Sequence, residues 1–208
     1  QIPLAIGSII LILVLNSMKF ALAGKVNNLL VLGLALTMIA YVIIAFVSGA
    51  WDGSTLVPFF TQGSGGSTGF LAMVPTAMTG YGSIVAMAFM VSEVKNPNKN
   101  VPKSVLIAMI IVLCLYLGII LATVGMVSAQ FLMDNPGMQF IPLYAAAFTK
   151  LASIPWVSKL ISVAALLALL TTMLTVMSLT SRAIQAAADK GLMPEGLAKN
   201  NKAGVPFN

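Results

Sequence analysis

Residues 70–103 read FLAMVPTAMTGYGSIVAMAFMVSEVKNPNKNVPK. No charged residue falls between Phe70 and Val91, and about 20 apolar residues suffice to cross a bilayer. The middle of this run resists a continuous helix. Pro75 lacks a backbone donor and crowds the preceding turn, and Gly80 and Gly82 each cost about 1 kcal/mol of helix propensity relative to alanine. At ~1.5 Å per residue the group Thr79-Gly80-Tyr81-Gly82-Ser83 stands near the bilayer midplane. Backbone that leaves helical geometry there must find partners on protein, water or a ligand. Two readings fit: a broken helix that builds a substrate site, and close helix packing through small residues.

Composition bounds the class. Of 208 residues, 59% are apolar and 8% charged, and the mean hydropathy is +1.01, whereas soluble domains carry about 25% charge. The expectation is an all-α polytopic membrane protein, one transmembrane bundle over 1–208 with spans at about 2–18, 26–47, 70–91, 101–127 and 156–188. The chain starts at Gln1 inside an apolar run and stops at Asn208 without a closing element, and so reads as a fragment. Cys114, the single cysteine, lies in an apolar run and is expected to be a buried inert thiol. Histidine is absent, which removes His-dependent triads and zinc motifs within these residues. The net charge of +6 comes from lysines and an arginine in loops between apolar runs, so membrane orientation explains it better than nucleic acid.

In chain order, Lys19 and Lys25 mark a tight loop after the first span. Residues 48–69 form a polar connector in which Trp51 suits an interfacial anchor. Gly63-Ser64-Gly65-Gly66 lacks the ending of a phosphate loop and reads as a linker. Residues 128–158 make a longer connector with a short helix around Leu143 to Leu151. In the last span, Thr171 and Thr172 sit among leucines. Hydroxyls in such helices usually bond their own backbone; the functional alternative is cation coordination, since hard cations take oxygen ligands. Lys190 suits the negative end of that helix, Gly191 its cap, and Pro194 bars its continuation.

The loop Ser92-Glu93-Val94-Lys95-Asn96-Pro97-Asn98-Lys99-Asn100-Val101-Pro102 turns at Asn-Pro and meets a second proline as the next helix begins. With the interrupted span before it, this resembles the amino acid–polyamine–organocation (APC) transporters. There an interrupted sixth helix leads into a Glu-Val-Lys-Asn-Pro loop, and Tyr81, Gly82 and Ser83 fall on the interrupted motif. The ending Ala186-Ala187-Ala188-Asp189 and Asn201-Lys202-Ala203-Gly204-Val205-Pro206 is similar to the branch of basic amino acid and polyamine exchangers. The resemblance covers helices four to eight of a LeuT-type five-plus-five inverted-repeat bundle, the first interrupted helix not being among them. Leu34 stands where many members carry an intramembrane lysine, which in some proton-coupled relatives replaces a bound sodium ion, so the resemblance does not extend to that coupling scheme.

What the resemblance implies is a secondary transporter, permease or exchanger, moving an amino acid by alternating access, with no covalent catalysis and no cofactor. The carbonyls of Thr79 and Gly82 would take the substrate ammonium, Gly80 and Ser83 would keep the backbone accessible, and Tyr81 would close one side. The implied partners are the amino acid, the lipid bilayer and either a coupling ion or a counter-substrate, with Thr171 and Thr172 the candidate ligands if a cation is bound. Cytoplasmic loops at 19–25, 93–103 and 190–208, with Arg182 at the inner end of the last span, would put nine of the eleven basic residues inside, all but Lys150 and Lys159. A channel or a membrane scaffold subunit are the alternatives. Thr79 and Val176 stand where arginine exchangers have tryptophans, and Val85 where the motif has its acid, so the expected substrate is neutral and small or apolar.

Overall fold

The computed structural model describes residues 2–17, 20–57, 66–82, 91, 94–138 and 141–199. Those residues are helical and contain no strand. The helices are α1 (Ile2–Ser17), α2 (Phe20–Val47), α3 (Gly66–Thr79), α4 (Pro97–Val124), α5 (Ala129–Asp134), α6 (Pro142–Thr149) and α7 (Trp156–Asp189). Gly24–Val47, Pro97–Val124 and Trp156–Asp189 are each long and apolar enough to cross a membrane. In α4 only Ala122 and Thr123 are buried, although the helix is apolar throughout. Apolar side chains facing outward in this number suit lipid, not water.

Three boundaries differ from expectation. The loop expected at 19–25 is largely helix, because α2 begins at Phe20, where Phe-Ala-Leu-Ala extends it. Helix α4 ends at Val124 rather than residue 127, since Gly125 begins a turn in which Met126 and Val127 donate to the Thr123 carbonyl at 3.1 and 2.9 Å. The run expected at 70–91 begins earlier, at Gly66, and stops as α-helix at Thr79; 83–90 lie outside the described residues. Cys114, expected to be buried, is exposed on α4. An apolar neighbourhood in a membrane helix does not say which face points inward.

Turn chemistry at the helix ends follows the sequence. Asn96 precedes Pro97 with φ 50° and ψ 62°, a left-handed conformation that asparagine tolerates, and its carbonyl accepts from Lys99 and Asn100 at 3.1 and 3.0 Å. Gly191 closes α7 with φ +74°. Its amide donates to Ala188 and that of Leu192 to Ala187, both at 2.9 Å, the paired bonds of a Schellman cap.

The chain divides into two compact units. In the unit of Ala35–Val85 and Lys95–Ala164, the core joins Tyr41 and Ala45 of α2, Ala122, Met126 and Val127 at the end of α4, and Val157 and Ile161 of α7. Helix α6 enters this core through Ala145, Ala146 and Ala147, whose small side chains let backbones approach closely. The connector after α2 is stapled to the end of α4. Trp51 Nε1 donates to the Leu121 carbonyl at 2.9 Å and the Asp52 amide to the Gly125 carbonyl at 2.8 Å, while the one hydroxyl proton of Thr55 lies between the Asp52 carbonyl at 2.7 Å and the Val124 carbonyl at 2.8 Å. The carbonyls of Leu121, Val124 and Gly125 lie in the last turn of α4 or just past it; that of Leu121 also accepts from the Gly125 amide at 3.1 Å. A Cβ at Gly125 would fall inside the Trp51 indole, so glycine is required there by close approach. In the unit of residues 1–34, 86–94 and 165–208, Ile12, Thr171, Leu174 and Ala188 are buried, and Gln185 Nε2 donates to the Ala198 carbonyl at 3.3 Å.

A candidate substrate site at the interrupted helix

Helix α3 ends in a change of hydrogen-bond register. The Gly80 amide donates to Ala77 at 3.2 Å and the Tyr81 amide to Met78 at 3.0 Å; both bonds span three residues, the tighter 3₁₀ pattern. The Thr79 hydroxyl covers the Thr76 carbonyl at 2.6 Å, one that an uninterrupted helix would have bonded to the Gly80 amide. Thr79, Gly80, Tyr81 and Gly82 therefore lie together on the transition out of the α-helix. Ser83 lies outside the described residues, as do the amides of 83–86 that would have continued the helix over carbonyls 79–82.

The two glycines of the break differ. A Cβ on Gly80 would stand 3.3 Å from the Ala77 carbonyl and 3.4 Å from Tyr116 Cε2 of α4, a tight fit against its own turn and van der Waals contact with a neighbouring ring. A Cβ on Gly82 meets nothing within 4 Å, so helix packing does not account for that glycine among the described residues. Neither has positive φ. Tyr81 is half-buried, and its ring meets that of Tyr116 edge-on, with centroids 6.2 Å apart at 65°.

Thr171 and Thr172 are neighbours on α7 but not in environment. Thr171 is buried and its hydroxyl donates to the Ala168 carbonyl at 2.9 Å, while Thr172 is exposed. The Thr171 oxygen keeps lone pairs beyond that bond. No cluster of acidic residues or cysteines with metal-ligand spacing occurs among the described residues.

Sequence reasoning missed Tyr116 and the pair Tyr41–Thr123. A tyrosine deep in an apolar helix was the available signal for both.

Helix α3 leaves its α-helical register at Thr79–Tyr81 in an apolar chain, and comparison with known proteins decides the family. The family described as amino acid permease matches residues 1–208, the whole chain. This chain belongs to the amino acid permease family. The permease is similar to the branched-chain amino acid permease BcaP of Bacillus subtilis (strain 168), 27% identical over 180 residues, which covers 84% of this chain and 35% of that protein. It is also similar to BcaP of Lactococcus lactis subsp. cremoris (strain MG1363), 26% identical over 194 residues, covering 89% of this chain and 39% of the relative. The chain thus spans between a third and two fifths of these curated relatives. No solved structure matches it. The permease is a multi-pass protein of the cell membrane, and its family consists of transporters, not enzymes.

Proposed function

We propose that this permease moves a neutral, apolar amino acid across the membrane by alternating access, with the substrate held at the break of α3. The observation that carries the reading is the register change at Thr79–Gly82 inside an apolar segment. Burying an amino acid zwitterion in hydrocarbon is costly unless both charges find partners. Carbonyls released from a helix point along its axis and carry partial negative charge, so those of Thr79 and Gly82 suit the substrate ammonium. The carboxylate requires donors from a second interrupted helix, which a LeuT-type five-plus-five inverted repeat supplies. In that arrangement the loops at 93–103 and 190–208 face the cytoplasm and rocking about the midplane site exchanges access.

The substrate class follows from the sequence at the positions where the resemblance would put cation-holding groups. Thr79 and Val176 carry no ring, and Val85 no carboxylate, for a long cationic side chain. Burying an unpaired guanidinium costs several kcal/mol, far more than the 1–3 kcal/mol at stake in one methylene of an apolar side chain. Similarity to branched-chain amino acid permeases supports the same preference.

The test is uptake of labelled leucine into proteoliposomes holding the full-length protein. Leucine or valine should compete strongly, and arginine or agmatine weakly. Gly80→Leu and Gly82→Leu should abolish binding while insertion stays normal. Normal affinity in both variants would remove the site from α3, and clear preference for arginine would overturn the substrate class.

A further inference from the structure

Tyr116 is the aromatic residue of α4, and it stands where tyrosines of membrane proteins are not usually needed. Interfacial tyrosines anchor a helix at the headgroups. Tyr116 lies 13 residues after Lys103 and eight before the helix end at Val124, about 20 Å and 12 Å respectively along the axis. It is therefore deep in the apolar layer. Nor is it a core residue: it is 40% exposed and absent from the cluster that joins α2, α4, α6 and α7. Its ring instead meets two consecutive residues of the α3 break. It borders the space a Gly80 side chain would enter, with Cε2 3.4 Å from that Cβ position, in van der Waals contact, and it presents an edge-to-face contact to Tyr81 at 6.2 Å.

We propose that Tyr116 is a positioning residue for the substrate site: its ring, set against Gly80 and Tyr81, holds the backbone of the α3 break in the orientation that receives the amino acid. The proposal rests on the reading that the break is the substrate site, and adds a residue from a different helix to it. The physical need is plain. Gly80 and Tyr81 keep only the three-residue bonds of a tight last turn, whose poorer geometry fixes direction less firmly than the α-helical ladder, so contacts from outside add to it. A rigid ring with two side-chain torsions does this at small entropic cost. Gly80 supplies the groove for the ring and Tyr81 the face or edge for it to meet. Tyr116 need not touch the amino acid; it acts through its two neighbours.

The experiment is leucine uptake by the full-length protein in proteoliposomes, with substitutions at Tyr116. Tyr116→Leu, which keeps apolar bulk but no ring, should raise KM for leucine by about two- to tenfold, the range an aromatic pair contributes. Vmax and the amount inserted should be unchanged. Tyr116→Phe, which keeps the ring, should stay within about twofold of the parent. Tyr81→Leu combined with Tyr116→Leu should be no worse than the more damaging single change, because the two act as one unit. Should Tyr116→Leu fail to insert, Tyr116→Met is read in the same way. An unchanged KM, equal losses in the Phe and Leu variants, or additive losses with Tyr81→Leu would each overturn the proposal while leaving the site intact if Gly80→Leu still abolishes binding. Normal binding in Gly80→Leu and Gly82→Leu would instead overturn the site reading itself.

Discussion

The hydroxyl of Tyr41 on α2 lies 3.0 Å from Thr123 Oγ1 on α4, and both residues are buried. Thr123 has one hydroxyl proton, and it is directed to the Ile119 carbonyl at 2.7 Å. Tyr41 is therefore the donor to Thr123, and the two helices are joined by a short chain of hydrogen bonds that ends on the α4 backbone. In an apolar setting such a chain is stable only when every member is satisfied.

That directionality makes the two ends unequal. Tyr41→Phe removes a donor and leaves the Thr123–Ile119 bond in place, so it should cost about 1 kcal/mol. Thr123→Val leaves the Tyr41 hydroxyl buried without an acceptor and should cost about 1–3 kcal/mol. Denaturant unfolding in detergent micelles would rank the variants, and Thr123→Val proving the milder change would contradict the assignment of the donor.

The staple between the first connector and α4 makes a second prediction. Gly125→Ala drives a methyl group into the Trp51 indole, and relief requires loss of the bond to the Leu121 carbonyl. The variant should melt lower than the parent, and Gly125→Ala with Trp51→Leu should recover part of the loss by restoring room. A double variant less stable than the sum of the single changes would show that the glycine serves another purpose.

Asp52 carries a pH dependence whose sign is fixed. The Ser54 amide donates to its carboxylate at 2.9 Å. That bond, helped by the Ser54 hydroxyl and by the charge of Lys150, holds the carboxyl below its ordinary pKa. Its stabilisation is complete above the unfolded value of about 3.9 and is lost as pH falls through the lower folded value. The melting temperature of the parent relative to Asp52→Asn should be level near neutrality and should fall in acid. A difference that grows as pH drops would reverse the argument.

Orientation can be read chemically. In a Cys114→Ser background, cysteines at Asn98 and at Gln130, both exposed, should react with a membrane-impermeant maleimide from opposite faces of a sealed vesicle. Reaction of both from one face would remove the crossing of the membrane by α4.

What the sequence discloses here is local. Gly191 and Pro194 announce the end of α7, Asn96-Pro97 the start of α4, and Thr79-Gly80 the end of α3, because each acts through backbone geometry within a few residues. The short helix expected at 143–151 is α6, Pro142–Thr149. What stays hidden is lateral. A helix such as α4 is apolar on every side, so no periodicity tells Cys114, which is exposed, from Ala122, which is buried. Trp51 looks like an anchor in the headgroups, yet its indole N–H serves a carbonyl 70 residues away. The contacts of Tyr116 with the break are likewise unreadable without the fold, as they join residues far apart in the chain.

Helix α7 runs for 34 residues, about 51 Å, against a hydrocarbon layer of about 30 Å. Its apolar core from Leu160 to Leu179 fills that layer, so the stretch after Ser181 is surplus length. The surplus is rich in alanine, Ala183 and Ala186–Ala188, with Arg182 near its beginning and Asp189 at its end. Within that surplus Arg182 turns back to donate to the Ser178 carbonyl at 3.3 Å, Gln185 reaches the Ala198 carbonyl at 3.3 Å, and Ala188 is buried. The excess turns are therefore held by protein contacts, and the longest helix ends in a ledge that the chain after Gly191 is fastened to.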